Sequence, residues 1–129
     1  MNEVELAHLK NWLSKANEDM AVLTKLSSSE ADIEFYKSGI TYHSQQAIEK
    51  YLKAYLIYNK NDFRKTHDLE WLLQQCRLID NTSFDKLDFG NLTDYAISSR
   101  YPDDFEAPSV EELKNFIHLA HLTKSLSIN

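Results

Sequence analysis

The stretch FYKSGITYHSQQAIEKYLKAYLIYN, Phe35 to Asn59, constrains the fold more than any other part of the chain. It holds no proline and one glycine, Gly39. A run of that kind predicts a single helix, capped by Asp32 or by a serine just before it and continuing to about Tyr58. At 1.5 Å per residue it would span roughly 40 Å, more than the width of a small domain, so the other helices must lie against it as a spine. Gly39 costs about 1 kcal/mol in a helix relative to alanine. Either a neighbouring helix crosses closely there or the position simply faces solvent.

The rest of the chain also reads as helical. Only two glycines and two prolines occur in 129 residues, whereas a β-rich fold needs many tight turns that draw on those residues. Leu6, Leu9, Leu13, Ala16, Met20 and Leu23 step by three or four and predict a helix from about Glu3 to Leu26 that buries one stripe. Trp12 flanks that stripe, and Glu3 and Glu5 sit where the helix dipole favours negative charge. Ser27, Ser28 and Ser29 end it.

After the polar break Asn59-Lys60-Asn61-Asp62, Thr66 is the expected cap of a third helix, with Asp68 in its first turn. Leu69, Leu72, Leu73 and Cys76 form its apolar face, and it should end near Ile79. A fourth segment follows from Phe84 to about Ile97, with Phe84, Leu87, Leu92, Tyr95 and Ala96 apolar and Gly90-Asn91 as a point of interruption. Pro102 disfavours helix at Tyr101, so Arg100 to Asp104 forms a loop. Ser109 and Glu112 make a capping box for the last helix, with Leu113, Phe116, Ile117 and Ala120 as its stripe. Residues 122–129 are expected to fray. The expected fold is all-α, an up-and-down bundle of four to five helices, with residues 1–129 forming one domain and no strand.

Charge narrows the function classes. A net charge of −6 argues against general electrostatic binding to DNA or RNA, which needs a basic face. Cys76 is the only cysteine, so neither an intrachain disulfide nor a thiolate zinc site can form. That usage suits a reducing compartment. The N-terminus lacks the pattern of a signal peptide and no window approaches 18 apolar residues, so the expected location is cytoplasmic, with no membrane partner.

Three polar clusters stand out. On the spine, His43, Gln46, Lys50 and Lys53 fall within about 80° of one another. An imidazole, an amide and two ammoniums suit a phosphate or nucleotide, and they equally suit a plain solvated face. Gln45 lies between the directions of Leu52 and Leu56, where a partly buried amide would hydrogen-bond another helix. The second cluster, Arg64, Lys65 and His67, stands at a helix N-terminus and could hold an anion, or Thr66 and Asp68 simply cap the helix while His67 packs against a neighbour. Neighbouring helical residues point about 100° apart, so His67 and Asp68 do not form a direct pair. The third joins Tyr95 to Arg100, Tyr101 and Asp103: either a structured loop, in which Arg100 could pair with Asp103 or with an acid on the spine, or a ligand contact. His118 and His121 share a face without a fixed acid and read as surface residues, so neither a metal nor a cofactor is expected. No Walker, GxGxxG or HExxH motif occurs.

The order YHSQQAIEKYLKAYLIY (42–58), RKTHDLEWLL (64–73) and SRYPD (99–103) resembles the HEPN domain family, a nucleotide-binding domain of higher eukaryotes and prokaryotes. The resemblance implies a bundle of four to five helices, often a homodimer, nucleotide binding, and a minimal nucleotidyltransferase as the partner in a toxin–antitoxin pair. Several branches of the family are ribonucleases, with an arginine followed by four to six residues and then a histidine. This chain departs from that motif. Leu69, Glu70 and Trp71 follow Arg64 at those positions; Thr82, Ser83 and Phe84 follow Arg77; Phe105, Glu106 and Ala107 follow Arg100. The expected function is therefore a non-catalytic module that binds a nucleotide or a partner. The alternatives are an RNase toxin with a divergent site built from His67, His43 and Arg100, or a structural dimerisation or adaptor domain.

Overall fold

The first helix shows how local sequence sets the boundaries. Asn2 accepts a hydrogen bond from the Glu5 N–H at 2.8 Å, and the Glu5 carboxylate accepts from the Asn2 N–H at 3.4 Å, a capping box that starts α1 (Glu3–Leu26). The computed structural model describes residues 1–98, 101, 103 and 106–128. Within them follow α2 (Glu30–Phe35), α3 (Lys37–Tyr58), α4 (Leu69–Ile79), α5 (Asn81–Phe84), α6 (Leu92–Ser98) and α7 (Val110–Ser127), with no strand among the described residues.

The spine is α3. Helices α1 and α7 pack along it, and α4 and α6 lie against its remaining faces. Ile40, Ala47, Ile48, Tyr51, Leu52 and Leu56 are completely buried, as are Leu23 of α1, Leu69 and Leu72 of α4 and Leu113 of α7. Burying each large side chain contributes about 1.5–3 kcal/mol relative to leaving it exposed. Leu6, expected in the α1 stripe, is instead 41% exposed because it lies near the free end of the helix.

The described residues form the expected all-α bundle, with seven helical segments because the chain breaks inside the predicted spine and around the predicted fourth helix. The spine breaks at Tyr36, which closes α2 and opens α3 with φ −102° and ψ 34°. Ser29 caps α2 by accepting from the Asp32 N–H at 3.1 Å. A straight helix of the full length would overrun the core; the break turns α2 onto α7 and buries Ile33. Gly39 then sits under the end of α1: a Cβ there would lie 2.9 Å from Leu26 Cδ1. The close crossing, rather than a solvent position, explains this glycine.

The spine ends in a Schellman motif. The Asn61 N–H donates to the Leu56 carbonyl at 2.9 Å and the Lys60 N–H to the Ile57 carbonyl at 3.0 Å, with Lys60 at φ 58°. The cap of α4 is Asp68, not Thr66. Its Oδ1 accepts from the Trp71 N–H at 3.1 Å, while Thr66 Oγ1 accepts from the Asp68 N–H at 3.0 Å and shapes the approach. Cys76 is buried against α3, and burial pushes its thiol up to about 12.

Of the predicted helix 84–97 only the second half is helical, as α6, while the short α5 forms in the stretch expected as the preceding loop. Gly90 at φ 56° and the Asp88 carboxylate, which accepts from the Gly90 N–H at 2.8 Å, make a turn between them. Arg77 pins this region by donating to the carbonyls of Phe84 at 3.2 Å, Asp85 at 3.3 Å and Leu87 at 2.8 Å. The capping box of α7 is present as expected. Its end does not fray: α7 continues to Ser127 because Leu122 and Leu126 pack on the core and Thr123 is buried. Among the described residues no helix is long and apolar enough to cross a membrane.

Candidate functional site

The predicted stripe on α3 divides into two rows, because α3 is buried on more sides than an edge helix. His43 and Lys50 turn toward α1. His43 Nδ1 lies 2.8 Å from Asp19 Oδ1, and Lys50 Nζ donates to Asp19 Oδ2 at 2.6 Å. Asp19 is only 7% exposed, so an ammonium and an imidazole on the spine satisfy one buried carboxylate from α1. Beside them the Tyr51 hydroxyl donates to Asn17 Oδ1. Burial, and then the Asp19 charge, push the Tyr51 phenol up to about 12.

Lys53 belongs to the second row and is 5% exposed. Its Nζ donates to Glu49 Oε2 at 3.1 Å and lies 5.2 Å from the Trp12 ring and 5.7 Å from the Phe63 ring. The other Glu49 oxygen, Oε1, is 2.9 Å from His67 Nδ1. Burying an ion pair is costly unless the geometry and remaining hydrogen bonds compensate. Here the His67 contact and the two aromatic rings provide that compensation. Glu49 thereby ties the connection carrying Phe63 and His67 back onto the spine. Lys53 is an internal cation, not part of a solvated stripe.

Gln46 lies on the same side as Glu49 and lines an open cleft of about 690 Å³ with Tyr42, Gln45, His67, Asp68, Thr93 and Ile97. Three elements meet there: α3, the N-terminus of α4, and α6. Gln45 is 4% exposed, and its Oε1 is buried with no hydrogen-bond partner. The bond to another helix expected for this amide is not made among the described residues.

The remaining candidates are dispersed. Arg64 stacks over Trp71, 4.5 Å from ring centre to guanidinium carbon, and is 4.0 Å from Asp68 Oδ2. Lys65 is exposed. Tyr101 and Asp103 are exposed and outside the cleft lining, and Arg100, with its expected pairing, lies outside the described residues. Tyr95 contacts the ring of Phe116. His118 and His121 are exposed on α7.

Sequence reasoning missed Asp19 and Glu49 as centres. One signal was present: Asp19 lies three residues after Ala16 and four before Leu23, inside the apolar stripe of α1. An acid there must find a cation on the facing helix.

The fold is a small all-α domain organised around one buried spine. The chain belongs to the HEPN domain family, whose model matches residues 9–123. No curated protein and no solved structure matches the chain.

Proposed function

We propose that this HEPN domain is a non-catalytic binding module, cytoplasmic and homodimeric, that pairs with a minimal nucleotidyltransferase in a toxin–antitoxin-like system. The Gln45 amide carries this reading. A buried polar atom without a partner costs about 1–3 kcal/mol. Beside an open cleft, a group brought by another molecule can recover that cost. The distribution of bases and cations supports a binding role. A nuclease needs a base and a cation converging on one phosphodiester. Here His43 is held by Asp19, His67 by Glu49, and Lys50 and Lys53 are each paired with one of those carboxylates. A nucleotide is the second ligand class this reading admits, with the exposed Arg64 and Lys65 as its cations.

Co-expression with a minimal nucleotidyltransferase from the same genome tests the proposal. The two chains should co-elute, light scattering should give twice the chain mass for this protein alone, and its induction alone should leave cellular RNA intact. Failure to co-elute, together with RNA cleavage that His67→Ala or His43→Ala abolishes, would replace this reading with the RNase toxin.

A further inference from the structure

The cleft over Gln45 has a definite chemical character. Its polar lining is rich in acceptors. Asp68 contributes a carboxylate, of which Oδ1 is used by the Trp71 N–H. His67 holds Nδ1 against the Glu49 carboxylate while most of its ring stays exposed. Gln45 and Gln46 each bring an amide carbonyl, and Thr93 a hydroxyl. Gln45 Oε1 is enclosed in the free chain, and a half-turn about χ3, which exchanges the two ends of the amide, is needed to bring the oxygen to the cleft. Tyr42, 42% exposed, supplies an aromatic ring, and Ile97, 52% exposed, an apolar wall. No lysine or arginine is among the described lining residues. The exposed Arg64–Asp68 contact is long and belongs to a class worth little, so it leaves Asp68 available.

Acceptors, one carboxylate and an aromatic ring suit a planar cation with several donors. Guanidinium has five N–H donors in one plane and stacks on aromatic rings. We infer that the cleft formed by Tyr42, Gln45, Gln46, His67, Asp68 and Thr93 takes an arginine side chain presented by the partner protein. The guanidinium donates to the Gln45 carbonyl and to Asp68 and stacks on Tyr42. The net charge of −6 favours the approach of such a cationic surface. This inference rests on the partner-binding reading and names what the partner must carry.

The test uses the full chain and a small probe, so it does not depend on which partner is found. N-acetyl-arginine-methylamide is titrated into ¹⁵N-labelled protein beside the citrulline analogue, which keeps the shape and loses the charge. Saturable shifts are expected at the Gln45 side-chain amide and at His67, at least tenfold weaker with citrulline. Gln45→Leu, which removes the amide without leaving an unpaired charge, should abolish them. Asp68→Asn, which keeps the helix cap, should weaken binding at least fivefold. Equal binding of citrulline would overturn the inference, as would shifts confined to other surfaces. So would adenosine moving Gln45 where arginine does not, or arginine binding only to an Arg100→Ala variant. If blocked arginine binds as expected and no nucleotidyltransferase co-elutes, the site stands and the identity of the partner falls. If the enzyme co-elutes with Gln45→Leu as well as with the native chain, the module reading stands and the site falls.

Discussion

The two polar rows of α3 face different fates. In the row toward α1, and at Glu49 beside the second row, charges meet their opposites inside the protein. Asp19 holds His43 and Lys50; Glu49 holds Lys53 and His67. One turn toward the N-terminus from Glu49, the equally buried Gln45 holds nothing. The spine can bury ions when neighbouring helices return the opposite charge, so those residues act in the fold. Gln45 lacks an internal answer and borders an open cleft, which makes it the residue to question about binding.

Substitutions can break or sharpen that contrast. The largest effect is expected for Glu49→Gln, which strands the Lys53 ammonium in the interior. Loss of one partner from a buried pair costs about 3–5 kcal/mol, and urea unfolding should show it. A loss near zero would mean that Lys53 escapes to solvent. Asp19→Asn should cost less, about 2 kcal/mol, because the His43 and Lys50 side chains are about a quarter exposed and can rehydrate. The same urea titration measures it.

Tyr51→Phe should cost about 1 kcal/mol at neutral pH through the lost bond to Asn17. It also carries a pH signature. The folded phenol is held up at about 12, above its ordinary value of 10.0, so the protonated form is favoured in the folded chain. The corresponding stability is complete below pH 10 and is lost as pH rises toward 12. Unfolding followed from pH 9 to 11.5 should therefore fall more steeply in the native chain than in Tyr51→Phe.

The smallest expected effect has the opposite sign. Gln45→Leu replaces an unpaired buried amide with an apolar group of similar size and should leave stability unchanged or raise it by up to about 1 kcal/mol. A clear loss would show that Gln45 is already answered within the protein, and the contrast between the rows would disappear.

The spine, the first helix and the last capping box were legible in sequence because each rests on local signals: period, composition and a serine spaced three residues before a glutamate. The breaks were not. Tyr36 carries no proline or glycine signal, and the chain turns there because α7 offers Ile33 a place to pack. Asp68 displaced Thr66 as the cap of α4, a choice between two good capping residues that depends on where the Glu49–His67 contact anchors the approaching chain. The stripe was correct in its angles but incomplete in its meaning. Whether His43, Lys50 and Lys53 face water depends on Asp19 and Glu49, and a helical wheel of α3 alone does not include the facing helix. Gln45 was legible as a buried amide, whereas its missing partner is a property of the assembled bundle.

The side-chain amide signals of Gln45 in the native protein give the most direct test. Blocked arginine should shift them saturably while the signals of residues around Asp19 and Tyr51 stay in place. An unmoved Gln45 with shifts clustered at His8, Lys15 and Lys50 would contradict the assignment of α3's open flank as the binding side.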